Sequence, residues 1–329
     1  DKMLNGRPLL SIIIPVYNEI KFIEAVFDSI LKSDFINKEV FFVDGMSNDG
    51  TYEWLKFSIK DLPNYFLFRN QNRYVSYGFN MVYKKTKGKY ICRLDGHSIY
   101  PPKYFTNAIK LLKNNNVHVV GGPALHVGKT RKGKIIAKCM TSPFGVGMSY
   151  FRIGSKEKNV DTVPFPIYKR LVLDHVGTYD EELIRNQDDE LNYRCISMGY
   201  KILMHPDLKT KYFVRGKLRD LWVQYFQYGL FKPLVLKKVP KSGRFHHFIP
   251  SLFLLSNLIF LFLTYFNWIF IAPLFVYLIL VIIFSFYIQK SLLDSIYSIF
   301  VFPCLHFSYG LGFLFGIKKL KNEDQRKNK

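Results

Sequence analysis

Leu10-Ser11-Ile12-Ile13-Ile14-Pro15-Val16-Tyr17-Asn18-Glu19 is the stretch from which the fold can be read. A nearly unbroken apolar run that ends in a turn signal describes a strand buried on both faces. A helical pattern follows, with Phe22, Val26, Ile30 and Leu31 on one face. Residues 40–44 (Val-Phe-Phe-Val-Asp) form a second strand candidate, and residues 45–50 a turn into a helix through Trp54 and Leu55. Residues 65–68 read as a third strand, 75–85 as a helix and 90–95 as a fourth strand. Strands alternating with helices over residues 8–210 predict an α/β fold with a mainly parallel sheet, its ligands at the strand carboxyl ends. No GxGxxG follows the first strand, which removes most support for a dinucleotide fold. The first apolar run is too short for a signal peptide, so none is expected.

The chain has 329 residues, 49% of them hydrophobic, and a net charge of +22. That content excludes a disordered chain. Cys92, Cys139, Cys195 and Cys304 are scattered without a CxxC pair, so reduced buried thiols are expected rather than a zinc ribbon or redox motif. The charge asks for a polyanionic neighbour, and its placement narrows which. Residues 209–244 carry ten Lys or Arg against one acid, and residues 318–329 carry six against two. These stretches flank residues 245–289, which contain no Asp, Glu, Lys or Arg. A helix of that length would run roughly 68 Å, about twice a bilayer core, so two spans near 249–266 and 269–288 are expected, broken at Asn267-Trp268. Bases clustered beside apolar spans fit anionic membrane lipid, at about 1 kcal/mol each, and not nucleic acid. The positive-inside rule puts residues 237–244 and the basic tail on the cytoplasmic side. An even number of crossings then makes residues 292–317, with Pro303 expected to kink or divide them, a re-entrant or interfacial broken helix in preference to a third span.

Asp44 and Asp95 stand at strand ends, where an open α/β sheet has its ligand crevice. Asp44 reads equally as a nucleoside contact or a turn aspartate. In Asp95-Gly96-His97 the outer residues point the same way, so a carboxylate and an imidazole can meet one cation, Mn²⁺ or Mg²⁺. A structural turn is the plainer reading of those three residues taken alone. Gln187-Asp188-Asp189-Glu190 puts three acids at a helix start, a common solvated arrangement that becomes a general base only if one carboxylate faces the crevice. Gln224, Gln227 and Tyr228 share one helical face.

In order and spacing these motifs resemble the inverting family 2 glycosyltransferases of GT-A fold, closest to the succinoglycan-type ExoA subgroup. The resemblance runs from about residue 9 to 232, and more weakly over 305–317. It implies a Rossmann-like, mainly parallel GT-A catalytic domain over residues 1–215. An interfacial basic segment (216–247), a membrane region (248–317) and a basic tail (318–329) follow. It implies that Pro15, Tyr17 and Glu19 contact the nucleotide base and ribose, that Asp44 binds the base, and that Arg73 and Asn80 lie on the phosphate side. Asp95 and His97 stand at the metal motif, here Asp-x-His rather than Asp-x-Asp. The catalytic base maps to Asp188, with Gln187 replacing the family's Glu. Gln224-x-x-Gln227-Tyr228 departs from Gln-x-x-Arg-Trp at two of three positions, away from the processive synthases. Residues 142–147 and 161–165 also resemble the subgroup, on the acceptor side.

The implied activity is inverting, metal-dependent transfer of a hexose from a nucleotide-diphosphate sugar, a UDP-sugar, to a polyprenyl-diphosphate-linked saccharide at the cytoplasmic membrane face. Arg215, Gln224 and Tyr228 would close the acceptor side and hold the diphosphate, with Gln187 and Gln227 on the same side. The alternatives are a polyprenyl-phosphate sugar synthase, whose phosphate acceptor needs no base, and a catalytically silent membrane-bound binding protein.

Overall fold

The computed structural model describes residues 7–114, 116–147 and 156–327, with side chains to residue 322. The chain forms two compact units, Asp1–Leu125 with Tyr150–Tyr212, and His126–Ser149 with Phe213–Lys329.

The first unit is built on a sheet whose strands lie in the order Tyr65–Arg69, Lys38–Asp44, Leu10–Val16, Tyr90–Arg93, Ile167–Lys169, Val119–Gly121, Ile202–Met204 and Lys158–Asn159. The strands are β1 (Leu10–Val16), β2 (Lys38–Asp44), β3 (Tyr65–Arg69), β4 (Tyr90–Arg93), β6 (Val119–Gly121), β8 (Lys158–Asn159), β9 (Ile167–Lys169) and β10 (Ile202–Met204). β1 pairs parallel with β2 and β4, β2 with β3, and β6 with β10, while β9 runs antiparallel between β4 and β6. The near-continuous apolar run of β1 reflects burial on both faces. Ile12 and Ile14 enter one core with Val26, Ile30 and Phe42, and Ile13 enters the other with Phe41, Val43 and Phe79. Helices α1 (Ile23–Leu31), α2 (Thr51–Ser58) and α3 (Val75–Tyr83) stand where the periodicity places them. Trp54 meets Phe27 edge-on at 5.4 Å. From β1 the chain builds outward to β2 and β3 and then returns to lay β4 on the opposite side of β1. The carboxyl ends of β1 and β4 are therefore a topological switch point, where open α/β sheets bind ligands. A short strand β5 (Ser98–Ile99) follows that end and pairs antiparallel with β11 (Thr210–Phe213) through Lys211 and Tyr212.

The second unit is helical. It includes residues 131–141 and 143–146, inside the range that the sequence assigned to the catalytic domain, because the helix of 131–141 buries Ile135, Ile136, Cys139 and Met140 within this unit. Its main packing is between Leu218–Lys238 and Leu292–Lys327. Gly229 lies against Tyr309, and Gly312 against Phe226, so closely that a Cβ on either would sit 2.1 Å from a carbonyl oxygen. These two helices run parallel, since Phe226 meets Gly312 and Leu230 meets Gly316.

Two expectations about this region need correcting. Leu292–Lys327 is one continuous helix through Pro303, not a broken one. Proline costs about 3 kcal/mol in a helix interior, and burial of Val301, Phe302, Leu305 and Phe313 on that helix offsets it. Among the described residues, the helices long and apolar enough to cross a membrane are Trp268–Ile288 and Leu292–Asn322. Ile249–Leu263 has 15 residues, roughly 22 Å, because a 3₁₀ turn at Phe245–His247 uses the start of the charge-free run and the helix ends ahead of Asn267. All four cysteines are free and buried.

Candidate active site

Ten of the sequence-predicted side chains belong to the first unit, and those on the strand ends stand at the switch point. Gly45 carries the chain out of β2, and its amide donates to the Val16 carbonyl at 2.8 Å. A Cβ on Gly45 would lie 2.6 Å from the Arg73 carbonyl oxygen, so glycine lets the loop carrying Arg73 close over the strand ends. Arg73 sits there with a positive φ of 68°. Its guanidinium donates to the Tyr17 hydroxyl and lies over the Tyr17 ring, 4.1 Å from the centroid. An exposed cation against a half-buried aromatic face offers stacking and charge to one ligand.

Asp44 is fully buried and accepts the Ser47 amide at 3.1 Å, so it is a turn aspartate at the strand end, where a nucleoside contact is also expected. Pro15 lies one residue before the end of β1, half-buried. The Asn80 amide group donates to the Tyr179 carbonyl (2.8 Å) and to Glu181 (3.0 Å), fastening α3 to the loop that carries Tyr179.

At the end of β4, Asp95 and His97 face each other, with Oδ2 and Nε2 4.0 Å apart. The other ring nitrogen of His97, Nδ1, is 2.8 Å from Glu19 Oε1. The ring is held edge-on by Tyr212, centroids 5.1 Å apart. The Glu19 carboxylate thus turns toward His97, while its amide donates to Thr51 Oγ1. A carboxylate oxygen and an imidazole nitrogen converging on a small gap fit a divalent cation such as Mn²⁺ or Mg²⁺. Among the described residues no group of three or more His, Cys, Asp or Glu is arranged to hold a metal. The protein would thus contribute two ligands, leaving coordination positions for phosphate oxygens and water.

Behind Asp95 lies a side chain to which the sequence reading gave no role. Arg93, 6% exposed, reaches Asp95 Oδ1 at 2.6 Å and Asp188 Oδ2 at 3.3 Å. Asp188 is the second residue of the helix Gln187–Ser197, and Asn186 precedes it in the left-handed conformation (φ 61°) that asparagine tolerates. The Tyr179 hydroxyl donates to Asp188 Oδ1 at 2.6 Å. Burial, then the charge of Asp188, holds the Tyr179 phenol well above its ordinary range, so it remains a donor. Glu190 and Arg194 lock the same helix to the tyrosine loop, because Arg194 binds Glu190 Oε1 (2.5 Å) and the carbonyls of Val176 and Thr178. Burial pushes the Asp188 carboxyl above its ordinary value, Arg93 and then the Tyr179 bond pull against that, and Asp95 and Asp189 add to the rise. Burial would lower the Arg93 guanidinium, but Asp188 and then Asp95 hold it above its usual value and permanently charged. The Asp188 side chain keeps 26% of its surface accessible, enough to meet an incoming hydroxyl, whereas neighbouring Gln187 is buried. A buried cation between two carboxylates holds them a fixed distance apart, one suited to a metal and the other to a proton.

Arg215, Gln224, Gln227 and Tyr228 belong to the second unit. There the Gln224 amide donates to the Tyr228 hydroxyl at 3.1 Å, one helical turn along. Ser142 caps the short helix Pro143–Val146 in that unit, and residues 148–149 lie outside the described residues. The reading missed Arg93, Tyr179 and Tyr212. Arg93 carried a signal, since it stands two residues before Asp95 on the same strand face. Tyr179 reaches the site from a remote loop and Tyr212 from β11, and no spacing rule identifies either.

The sequence model described as Glycosyl transferase family 2 matches residues 11–177. The succinoglycan biosynthesis protein ExoA of Rhizobium meliloti is 30% identical over 221 residues, which cover 66% of this chain and 67% of that protein. A Methanococcus voltae dolichyl N-acetyl-alpha-D-glucosaminyl phosphate 3-beta-D-2,3-diacetamido-2,3-dideoxy-beta-D-glucuronosyltransferase is 26% identical over 247 residues, 70% of this chain and 74% of its own. Among solved structures, a mannosyltransferase of Pyrobaculum calidifontis in complex with GDP-Man and Mn²⁺ superposes with a TM-score of 0.60 at 17% identity. That match covers 94% of this chain and 88% of the mannosyltransferase. Residues 1–349 of S. aureus TarS with UDP-GlcNAc give a TM-score of 0.53 at 14% identity, covering 92% and 90%. The fold is therefore the GT-A fold.

Proposed function

We propose, from the premise that this chain belongs to glycosyl transferase family 2, that it moves a hexose from a UDP-sugar to a polyprenyl-diphosphate-linked saccharide, with inversion, at the cytoplasmic face of a membrane. The observation that carries the reading is the buried Arg93 set between Asp95 and Asp188. It joins a donor-side carboxylate to an acceptor-side one at a topological switch point.

In that reading Tyr17, Arg73 and Asp44 receive the nucleotide. Asp95 and His97 would hold a divalent cation, which when bound supplies Lewis-acid neutralisation of the leaving diphosphate. Asp188 accepts the proton of the acceptor hydroxyl as its oxygen forms a bond to the anomeric carbon. The bond from that carbon to the diphosphate oxygen breaks, and its electron pair leaves with the nucleotide. Arg93 and the Tyr179 hydroxyl favour the ionised form of Asp188 and aim it. Arg215, Gln224, Gln227 and Tyr228 serve the acceptor side.

Trp268–Ile288 and Leu292–Asn322 support a membrane location, and the choice of acceptor draws support from a relative that acts, by its name, on a dolichyl-linked saccharide. The cation and the nucleotide-sugar donor draw support from solved relatives described with GDP-Man and Mn²⁺ or with UDP-GlcNAc. The basic stretches of the second unit serve as the contact with anionic lipid. A panel of nucleotide sugars, assayed with membranes containing lipid-linked saccharides, with and without a chelator, tests the reading. Cation-dependent transfer from a UDP-sugar is expected. Absence of transfer from every donor overturns it.

A further inference from the structure

We infer that Glu19 is a positioning residue for the cation site: its carboxylate holds the hydrogen of His97 on Nδ1, so that Nε2 presents a lone pair toward Asp95. This rests on the reading of Asp95 and His97 as cation ligands.

An imidazole can bind a cation only through a nitrogen without hydrogen, and which nitrogen that is depends on the partner of the other. Glu19 Oε1 lies 2.8 Å from Nδ1, whereas Asp95 Oδ2 is 4.0 Å from Nε2. A carboxylate oxygen is the usual acceptor for the second ring nitrogen of a ligating histidine, so the short contact assigns the hydrogen to Nδ1. The other Glu19 oxygen, Oε2, is buried with no hydrogen-bond partner. A carboxylate 7% exposed with one orphaned oxygen is costly to keep and is not what the local chain path requires. That path is held by the backbone: the Glu19 amide donates to Thr51 Oγ1, and its carbonyl accepts the amides of Phe22 and Ile23 at 2.8 Å each. Gly96, between the two ligands, makes room for the arrangement. A Cβ there would lie 3.1 Å from Glu19 Cγ and 2.9 Å from Val16 Cγ1. The Tyr212 ring fixes the imidazole plane. The Glu19 contact thus sets the tautomer, while Gly96 and Tyr212 leave the ring where that contact can form.

The test uses the full chain in detergent. Nitrogen-15 spectra of labelled histidine, with the His97 signals among the eight histidines assigned by His97→Asn, report which ring nitrogen carries hydrogen. Titration with Mn²⁺ alone, followed by electron paramagnetic resonance, reports affinity. Wild type is expected to show hydrogen on Nδ1. Glu19→Ala is expected to lose that preference and to weaken Mn²⁺ binding about 10- to 100-fold. Glu19→Gln keeps the shape but can donate to Nδ1, so it shifts the tautomer toward Nε2–H even where packing is unchanged. Hydrogen on Nε2 in wild type, or unchanged Mn²⁺ affinity in Glu19→Ala while His97→Ala and Asp95→Asn weaken it, overturns the role of Glu19 and leaves the cation reading standing. Unchanged affinity in His97→Ala and Asp95→Asn overturns the cation reading, and the role of Glu19 with it.

Discussion

Replacing Arg93 with methionine probes the device that joins the two halves of the site. The side chain is 6% exposed and binds Asp95 at 2.6 Å and Asp188 at 3.3 Å. Arg93→Met leaves two carboxylates facing a buried apolar group, with the Tyr179 hydroxyl still on Asp188. Removing one partner of a buried ion pair costs about 3–5 kcal/mol. With a urea slope of about 3 kcal/mol/M, the unfolding midpoint of the first unit should fall by about 1–2 M. Trp54 packs in the core of that unit, so its fluorescence in a background carrying Trp222→Phe and Trp268→Phe reports the transition. The double variant Arg93→Met/Asp188→Asn should cost less than the sum of the two single changes, by about 1–3 kcal/mol, because it also removes one stranded charge. A fall of less than about 0.3 M in the single variant, or strict additivity in the double one, would refute the account of Arg93.

Asp188→Asn should lower kcat by about 10²- to 10⁴-fold while UDP binding, followed by calorimetry, stays unchanged. Because burial raises the Asp188 carboxyl, the acid limb of kcat/KM should lie above the ordinary carboxylate range, with activity rising as pH rises through it. Tyr179→Phe removes a donor that favours the ionised form, so a pH series should show its limb moved to higher pH. Gly229→Ala would gain about 1 kcal/mol of helix propensity on an open face. Here its Cβ would meet the Tyr309 carbonyl at 2.1 Å, so thermal unfolding in detergent should show a loss of about 1–3 kcal/mol.

Much of the first unit was legible because its signals are local. The period of α1 and the two-faced burial of β1 both follow from which residues are apolar. Asp44 and Asp95 announce themselves by standing at strand ends, and Asp188 by opening a helix. What stayed hidden depends on contacts distant in sequence. Tyr179 reaches Asp188 through a loop fastened by Asn80 and Arg194. Nothing in the spacing of Glu19 and His97, 78 residues apart, shows that they touch. In the second unit, the proline rule is a statement about isolated helices, and burial of Val301, Phe302 and Leu305 overrides it at Pro303. A charge-free run likewise shows where apolar helices lie but not where each begins, which a 3₁₀ turn and Asn267 decide.

The proposed reaction is a single displacement at the anomeric carbon, with Asp188 taking the acceptor's proton. The anomeric configuration of the newly formed linkage, read from the proton–proton coupling of the transferred sugar in the purified product, tests it most directly. With an α-linked donor, a β linkage is expected in the wild-type product. An α linkage would mean retention, and would contradict both the single displacement and the role of Asp188.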